Sequence, residues 1–433
     1  MRRRAFGLLA ALAALAGCTA APPPSGPPYA GAGAATTETA KAPGPRIALL
    51  LPLTGPARRL GQSMLRAAEL AVTMTPAGSP SGAAGQTVRL DPRDTGGTPE
   101  GAALAARAAL DNGDAMILGP LTAAETAAAA PAARSAGVPM LAFTSDPAQA
   151  RPGVWTLGIT PDQQVRRLVA AATAENRTRF AAVLGQEPLG DALGRALQVA
   201  TREAGLPEPT IRTVPADFAG LDSAVQAIAG YTPPAPAPAP SPAPSPAPSP
   251  APGAAPAAPP PLPMPGAAPA AAPPPRPPFD ALLVDVTGEH ARALGATLAQ
   301  VGAVPPTVRV LGPGLWAGQA ARLGALAGAW FAAPNPADRG GFAQLYSSHY
   351  GSQPPALADL AFDAASIARV LGGQGPITAA GLTQSEGFGG VDGFFALLPD
   401  GHVRRGLAVF EITPAGRPQL VSPAPTNARG AGV

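Results

Sequence analysis

Few residues of this chain could do chemistry, and the first to weigh is the triplet Asp94-Thr95-Gly96 within RLDPRDTGGTPE. In an aspartic protease such a triplet presents a catalytic carboxylate that shares a proton with a second aspartate. Here no second Asp-Thr-Gly occurs, and the triplet lies between a short strand and a helix that starts at Thr98-Pro99. Asp94 therefore reads as a turn residue that accepts backbone N–H groups. The other reactive types are scattered. His290, His349 and His402 fall on separate surface helices or turns and read as solvated side chains, not metal ligands. GQSML at 61–65 lacks the closing glycine of a nucleophile elbow, and no phosphate loop or His-Glu-x-x-His is present. With Lys41 as the single lysine, a Ser-x-x-Lys pair is impossible. In GPGLWAG, Gly318 falls one residue late for a dinucleotide loop. The expectation is a non-catalytic chain with no metal and no other cofactor.

The one cysteine, Cys18, has a different chemistry. MRRRAFGLLAALAALAGCT has a charged start, an apolar run from Ala5 to Ala16 and small residues before the thiol. The run is too short to span a bilayer and reads as a secretory signal over residues 1–17. Leu15-Ala16-Gly17-Cys18 resembles the lipobox of bacterial lipoproteins, which implies lipidation of Cys18 after cleavage. Acyl chains contribute about 0.8 kcal/mol per buried methylene, so two or more hold a protein on a membrane. In the sorting rule of such lipoproteins, Thr19 after the cysteine implies the outer membrane, facing the periplasm. Without Arg2, Arg3 and Arg4, 27 basic residues face 27 acidic ones. That balance leaves no electrostatic footprint for nucleic acid.

Residues 18–45 are rich in Pro, Gly, Ala and Thr and read as a disordered tether. The apolar run Ile47–Leu53 then has the look of a strand buried on both faces of a parallel sheet. A regular alternation follows. ARRLGQSMLRAAELAVTM places Leu60, Met64, Ala67, Ala68 and Ala71 on one helical face, and TVRLDP returns to strand. A helix from Thr98 to Gly113, strand AMILG, a capping box at Thr122/Glu125 and strand VPMLAF complete a first lobe at 46–157. A second capping box, Thr160/Gln163, opens a second α/β lobe at 158–334. The expected fold class is α/β, two doubly wound lobes.

Residues 232–278 are almost pure Pro, Ala and Ser, which gives polyproline geometry and nothing to pack. They form either a linker between domains or an insertion within lobe 2. The insertion is favoured, because the strand after them continues the same alternation and lengthening a loop costs only about 0.6 kcal/mol per doubling. Beyond residue 334, helices RGGFAQLYSSHYG and ALADLAFDAASIARVLG return to lobe 1 up to about 393, and 394–420 return to lobe 2. FFALLP and VRRGLAVFEI pair through the turn Pro399-Asp400-Gly401, and 421–433 read as a disordered tail. Trp155, Trp316 and Trp330 read as core or hinge packing.

In order along the chain, IALLLPLTGPARRLGQSMLRAAELAV, DTGGTPEGAALAARAAL, AMILGPLTAAET, GVPMLAFTSD and ADLAFDAASIARVL resemble the type I periplasmic binding proteins, the leucine-binding-protein-like family. The resemblance implies two lobes joined by three hinge crossovers, closing over a cleft at the carboxyl ends of the strands. It places Thr54, Leu121, Thr122, Ala123, Thr144, Ser145, Leu189, Thr287 and Gly314 at that cleft. Thr122 reads as an N-cap alone or as a cap that also meets ligand; Thr144 and Ser145 as a strand-end turn or as ligand contacts. Where amino-acid binders of this family carry a hydroxyl, an aromatic and a carboxylate for the ligand's ammonium, this chain has Ala123, Leu189 and Gly314.

The lipobox, the tether, PGVWTLGITPDQQVRRLVAAA and VLGPGLWAG are similar to one branch, the penicillin-binding-protein activators. That branch implies a peptidoglycan synthase as partner. The alternative is the solute-binding component of an ABC importer for branched-chain amino acids or related small molecules, with a permease as partner.

Overall fold

In a computed structural model, residues 44–74, 88–232, 276–286 and 288–431 are described. Cys18 and Thr287, the signal segment, most of the tether and most of the Pro/Ala/Ser tract lie outside the described residues. Lobe 1 begins with β1 (Arg46–Leu51), α1 (Arg58–Thr73), β2 (Arg89–Asp94), α2 (Pro99–Asp111), β3 (Met116–Leu118), α3 (Ala123–Ser135), β4 (Met140–Ala142) and β5 (Val154–Thr156). The five strands form one parallel sheet in the order β2-β1-β3-β4-β5. Because side chains alternate along a strand, β1 feeds two cores. Ile47, Leu49 and Leu51 pack with Met64 and Ala68 of α1, while Ala48 and Leu50 meet alanines of α2 and α3. Both faces are covered, so the strand is a continuous apolar run.

Lobe 2 follows with α4 (Pro161–Ala174), β6 (Phe180–Gly185), α5 (Pro188–Glu203), β7 (Thr210–Val214), α6 (Leu221–Ile228), β8 (Ala281–Val284), α7 (Ala291–Gln300), β9 (Arg309–Gly312) and β10 (Trp330–Ala333). Its seven-stranded sheet also takes in β14 (Ala408–Ile412) and β15 (Pro418–Ser422) and runs β15-β14-β10-β9-β8-β6-β7, parallel except at β14 and β15. In β6, Phe180, Ala182 and Leu184 face α4 and α5, and Ala181 and Val183 face the opposite core. The elements on either side of residues 233–275, α6 and β8, belong to this one lobe.

The chain then returns to lobe 1 with α8 (Gly340–Tyr350), α9 (Ala358–Gln374), α10 (Ala379–Leu382) and a small antiparallel sheet of β11 (Phe388–Gly390), β12 (Gly393–Leu397) and β13 (Val403–Arg405). Leu360, Ala361 and Ala364 of α9 join the core beside α1, together with Phe395, Leu397 and Val403. Lobe 2 therefore resumes at β14 (Ala408–Ile412), not near residue 394. VRRGLAVFEI is accordingly two strands, not one. A Cβ at Gly406 would overlap the Pro425 carbonyl, so only glycine lets the backbone cross there between sheets. The tail also differs from expectation. β15 (Pro418–Ser422) pairs with β14, and α11 (Ala428–Ala431) follows. The Arg167 guanidinium holds this stretch by donating to Ser422 Oγ at 2.6 Å and to the Pro423 carbonyl at 3.0 Å. The lobes are thus joined by three crossovers, after β5, after β10 and after β13.

Candidate functional site

The carboxyl ends of the lobe 1 strands are tied together by side chains. Asp94, at the end of β2, accepts the N–H groups of Leu53 (2.8 Å), Thr54 (3.1 Å) and Gly96 (2.8 Å) and the Thr54 hydroxyl (2.6 Å). Desolvation opposes its ionised form, but these four donors outweigh it and hold the carboxyl below its usual range. Asp94 closes a turn, as expected. Next to it, Thr95 donates to the fully buried Glu125 at 2.6 Å. Glu125 in turn accepts the Thr122 N–H at 3.0 Å and its hydroxyl at 2.8 Å, and its own N–H returns to Thr122 Oγ1. The capping box therefore fixes the rim where α3 begins.

Past this rim lies a cavity of about 670 Å³. Leu121, Thr122, Phe143, Thr144, Ser145 and Gly158 line its lobe 1 edge; Pro334, Asn335 and Pro336 of the second crossover, with Leu357 and Leu360, close the other side. The walls are mainly apolar with a few convergent polar groups, the composition of a small-molecule pocket. Thr144 is buried, and its hydroxyl accepts the Asp146 N–H at 3.1 Å; Ser145 is exposed to the cavity mouth.

Four of the expected cleft residues, Leu121, Thr122, Thr144 and Ser145, are thus brought together. Thr287 is outside the described residues, and Thr54, Ala123, Leu189 and Gly314 do not line this cavity. Thr54 is exposed and its hydroxyl is spent on Asp94. Ala123 is the first residue of α3, and Leu189, in the first turn of α5, packs onto the core beneath it. Gly314 donates its N–H to Gln164 Oε1 at 2.6 Å, and a Cβ there would come within 2.9 Å of the Ala332 carbonyl. Its glycine neighbour Gly312 leaves room for the Trp316 ring, which explains GPGLWAG without a nucleotide. Trp155, Trp316 and Trp330 are buried, and their indole N–H groups donate to Leu398 O, Val286 O and Glu411 Oε2.

Sequence reasoning missed the charged residues of the cavity: Arg339, Asp359 and Asp392. Arg339, just before α8, grips Asp359 of α9 with two parallel bonds of 2.6 and 2.9 Å and also donates to the carbonyls of Pro354 and Pro355. Burial nevertheless pushes the Asp359 carboxyl up to about 6. Behind it, burial pushes Asp363 to about 7, and Asp392 is raised for the same reason. A signal for Asp359 and Asp363 was present in ALADLAFDAASIARVLG, where two aspartates four apart share the apolar face of a helix. Among the described residues, no group of three His, Cys, Asp or Glu is arranged to hold a metal ion, and no helix is long and apolar enough to cross a membrane.

Among curated proteins, none matches the chain in sequence. Solved structures do match it in fold. A protein from Rhodospirillum rubrum described as a branched-chain amino acid ABC transporter superposes with a TM-score of 0.64 at 18% identity, covering 87% of this chain and 100% of that one. An ABC transporter substrate-binding protein from Sphaerobacter thermophilus gives 0.56 at 17%, over 87% and 96%. Full-length LpoA from Haemophilus influenzae gives 0.58 at 15%, over 87% of this chain but 58% of its own length. At such identities the likeness is one of fold. The family model described as periplasmic binding protein matches residues 45–417, nearly all of both lobes, and the chain belongs to that family.

Proposed function

We propose that this protein is a non-catalytic binding protein that captures a small, partly apolar molecule in the cavity between lobe 1 and the hinge crossovers, as the solute-binding component of an ABC importer. The cavity of about 670 Å³, set against the crossover at Pro334–Pro336, carries this reading: its occupant would touch both a lobe and the hinge. Thermal unfolding of the purified chain against a panel of amino acids, amides and amines tests it. A ligand at a hundred times its Kd adds about 2.7 kcal/mol and raises Tm by several degrees. A panel without any shift, and native mass spectra without a co-purifying small molecule, would count against it.

A second reading is regulation of a peptidoglycan synthase from a lipid-anchored position in the periplasm at the outer membrane. Cys18 in its lipobox and the departures at Ala123, Leu189 and Gly314 favour it. Incorporation of labelled palmitate, lost in Cys18→Ser, together with recovery of a penicillin-binding protein in a pull-down, is the result it requires.

A further inference from the structure

We propose that this chain has a second ligand site, on the other side of the first crossover from the cavity described above, which takes a small uncharged polyhydroxylated molecule such as a sugar.

A smaller cavity of about 260 Å³ lies where α4 and α5 of lobe 2 meet the β12–β13 hairpin of lobe 1. It shares no lining residue with the larger one. The crossover between β5 and α4 is the partition: Thr156 and Thr160 line the smaller cavity, while Gly158 and Ile159 between them line the larger. Its volume falls just below the range of about 300–1,000 Å³ for drug-sized ligands, so the occupant is small. That occupant touches the hairpin of one lobe and two helices of the other, and so bridges the lobes.

Thr156, the last residue of β5, is 1% exposed, and its hydroxyl has no hydrogen-bond partner. A buried hydroxyl left without a partner is costly, and native proteins rarely keep one that no water or ligand meets. Asp162, in the first turn of α4, is the next open group. Burial raises its carboxyl, with the charge of His402 foremost in opposing the rise, and no hydrogen bond to it is formed among the described residues. Half-buried Arg404 adds a donor. The remaining charges are already matched, since His402 Nδ1 lies 3.3 Å from Asp400 Oδ2 and Arg166 pairs with Glu203.

Three acidic groups thus face three basic ones, which leaves little net charge for an ion to neutralise. What stays open is an acceptor, a donor and a hydroxyl that can be either. Hydroxyl groups match all three, because each donates one bond and accepts two. Val199 and Leu398 supply apolar surface for the carbon skeleton that carries them.

Calorimetry and thermal unfolding of the full chain with D-ribose, D-glucose and myo-inositol test this, with glucosamine and glucuronate as charged relatives of the glucose ring. At least one neutral probe raises Tm, and the tightest of them binds at least tenfold more tightly than either charged relative. Thr156→Val removes the hydroxyl at nearly constant volume; it weakens that probe at least tenfold, while the Tm of the empty chain holds or rises because the unpaired group is gone. Undiminished binding in Thr156→Val puts the probe elsewhere and overturns the inference, as does preference for a charged relative. If no neutral probe binds and Thr156→Val lowers Tm, the cavity holds an ordered water only; if none binds and Tm holds or rises, it is an empty hollow; either result overturns the inference. Should Thr156→Val fail to fold, Asp162→Ala decides, and an affinity unchanged there sinks the proposal. None of these residues lines the larger cavity, so failure here leaves the solute-binding reading standing.

Discussion

Asp94 and Thr54 are linked by a hydroxyl-to-carboxylate bond of 2.6 Å that joins the loop after β1 to the end of β2. With three backbone N–H groups also directed at it, the carboxylate is a clasp for the cleft edge, largely exposed to water. Asp94→Ala is expected to cost about 1–2 kcal/mol at neutral pH, toward the low end for hydrogen bonds to a charged group because water screens this exposed carboxylate. The folded pKa lies below the unfolded one, so this contribution is present above the unfolded value and lost as pH falls through the folded one. Urea denaturation at pH 7 and at pH 3 checks it: the gap between variant and parent should narrow at the lower pH.

Thr122 and Glu125 form the capping box that sets the opposite edge, and Glu125 also holds Thr95. Thr122→Ala removes one cap and is expected to cost about 1 kcal/mol. Glu125→Ala strips the buried Thr95 hydroxyl and the Thr122 N–H of their acceptor together, so about 2–4 kcal/mol is expected. Equal losses in the two variants would show that Thr95 gains nothing from Glu125. Urea midpoints at constant m-value distinguish the cases.

Much of this architecture was legible because the local signals are strong. The apolar Ile47–Leu51 run is a doubly covered strand, and both capping boxes close as their spacing requires. What escaped was non-local. Nothing near VRRGLAVFEI shows that Pro425 crowds Gly406 and that the strand must divide there. Nor does the tail reveal that Arg167, some 255 residues earlier, will bind Ser422. In the cavity, Leu121, Thr122, Thr144 and Ser145 are residues that the family resemblance implies, whereas the charged cluster joins α9, the β11–β12 turn and β13, which only tertiary packing brings together.

Asp363 gives the fold a pH dependence of the opposite sign from Asp94. Burial raises its carboxyl to about 7 in the folded chain, well above the usual carboxylate range. Stability from the protonated group is fully present below the unfolded value and is lost as pH rises through the folded one, roughly 4 kcal/mol if the whole shift is realised. Asp363→Asn keeps an acceptor for the Val391 N–H and carries no charge to bury. Its Tm should therefore fall less than the parent's between pH 5 and 8. Parallel Tm profiles would refute this assignment.

Gly401 fixes the β12–β13 hairpin against lobe 1. Its φ is +93°, and a Cβ there would overlap Arg151 N and the Arg151 and Val154 carbonyls, all backbone atoms that have no rotamer to change. The hairpin is held from the same side by the Trp155 indole, which donates to Leu398 O at 2.7 Å, and from lobe 2 by Gln163 Nε2, which donates to Val403 O at 2.8 Å. Gly401→Ala combines backbone strain with overpacking and is expected to cost about 2–4 kcal/mol. Gly389→Ala in β11, where a Cβ meets nothing within 4 Å, should change stability by no more than about 0.5 kcal/mol. Because Gln163 belongs to α4, displacing the hairpin also loosens the contact between lobes. Trp155 fluorescence should therefore shift to the red in Gly401→Ala, and an unshifted spectrum with an unchanged midpoint would show that the hairpin is free to move.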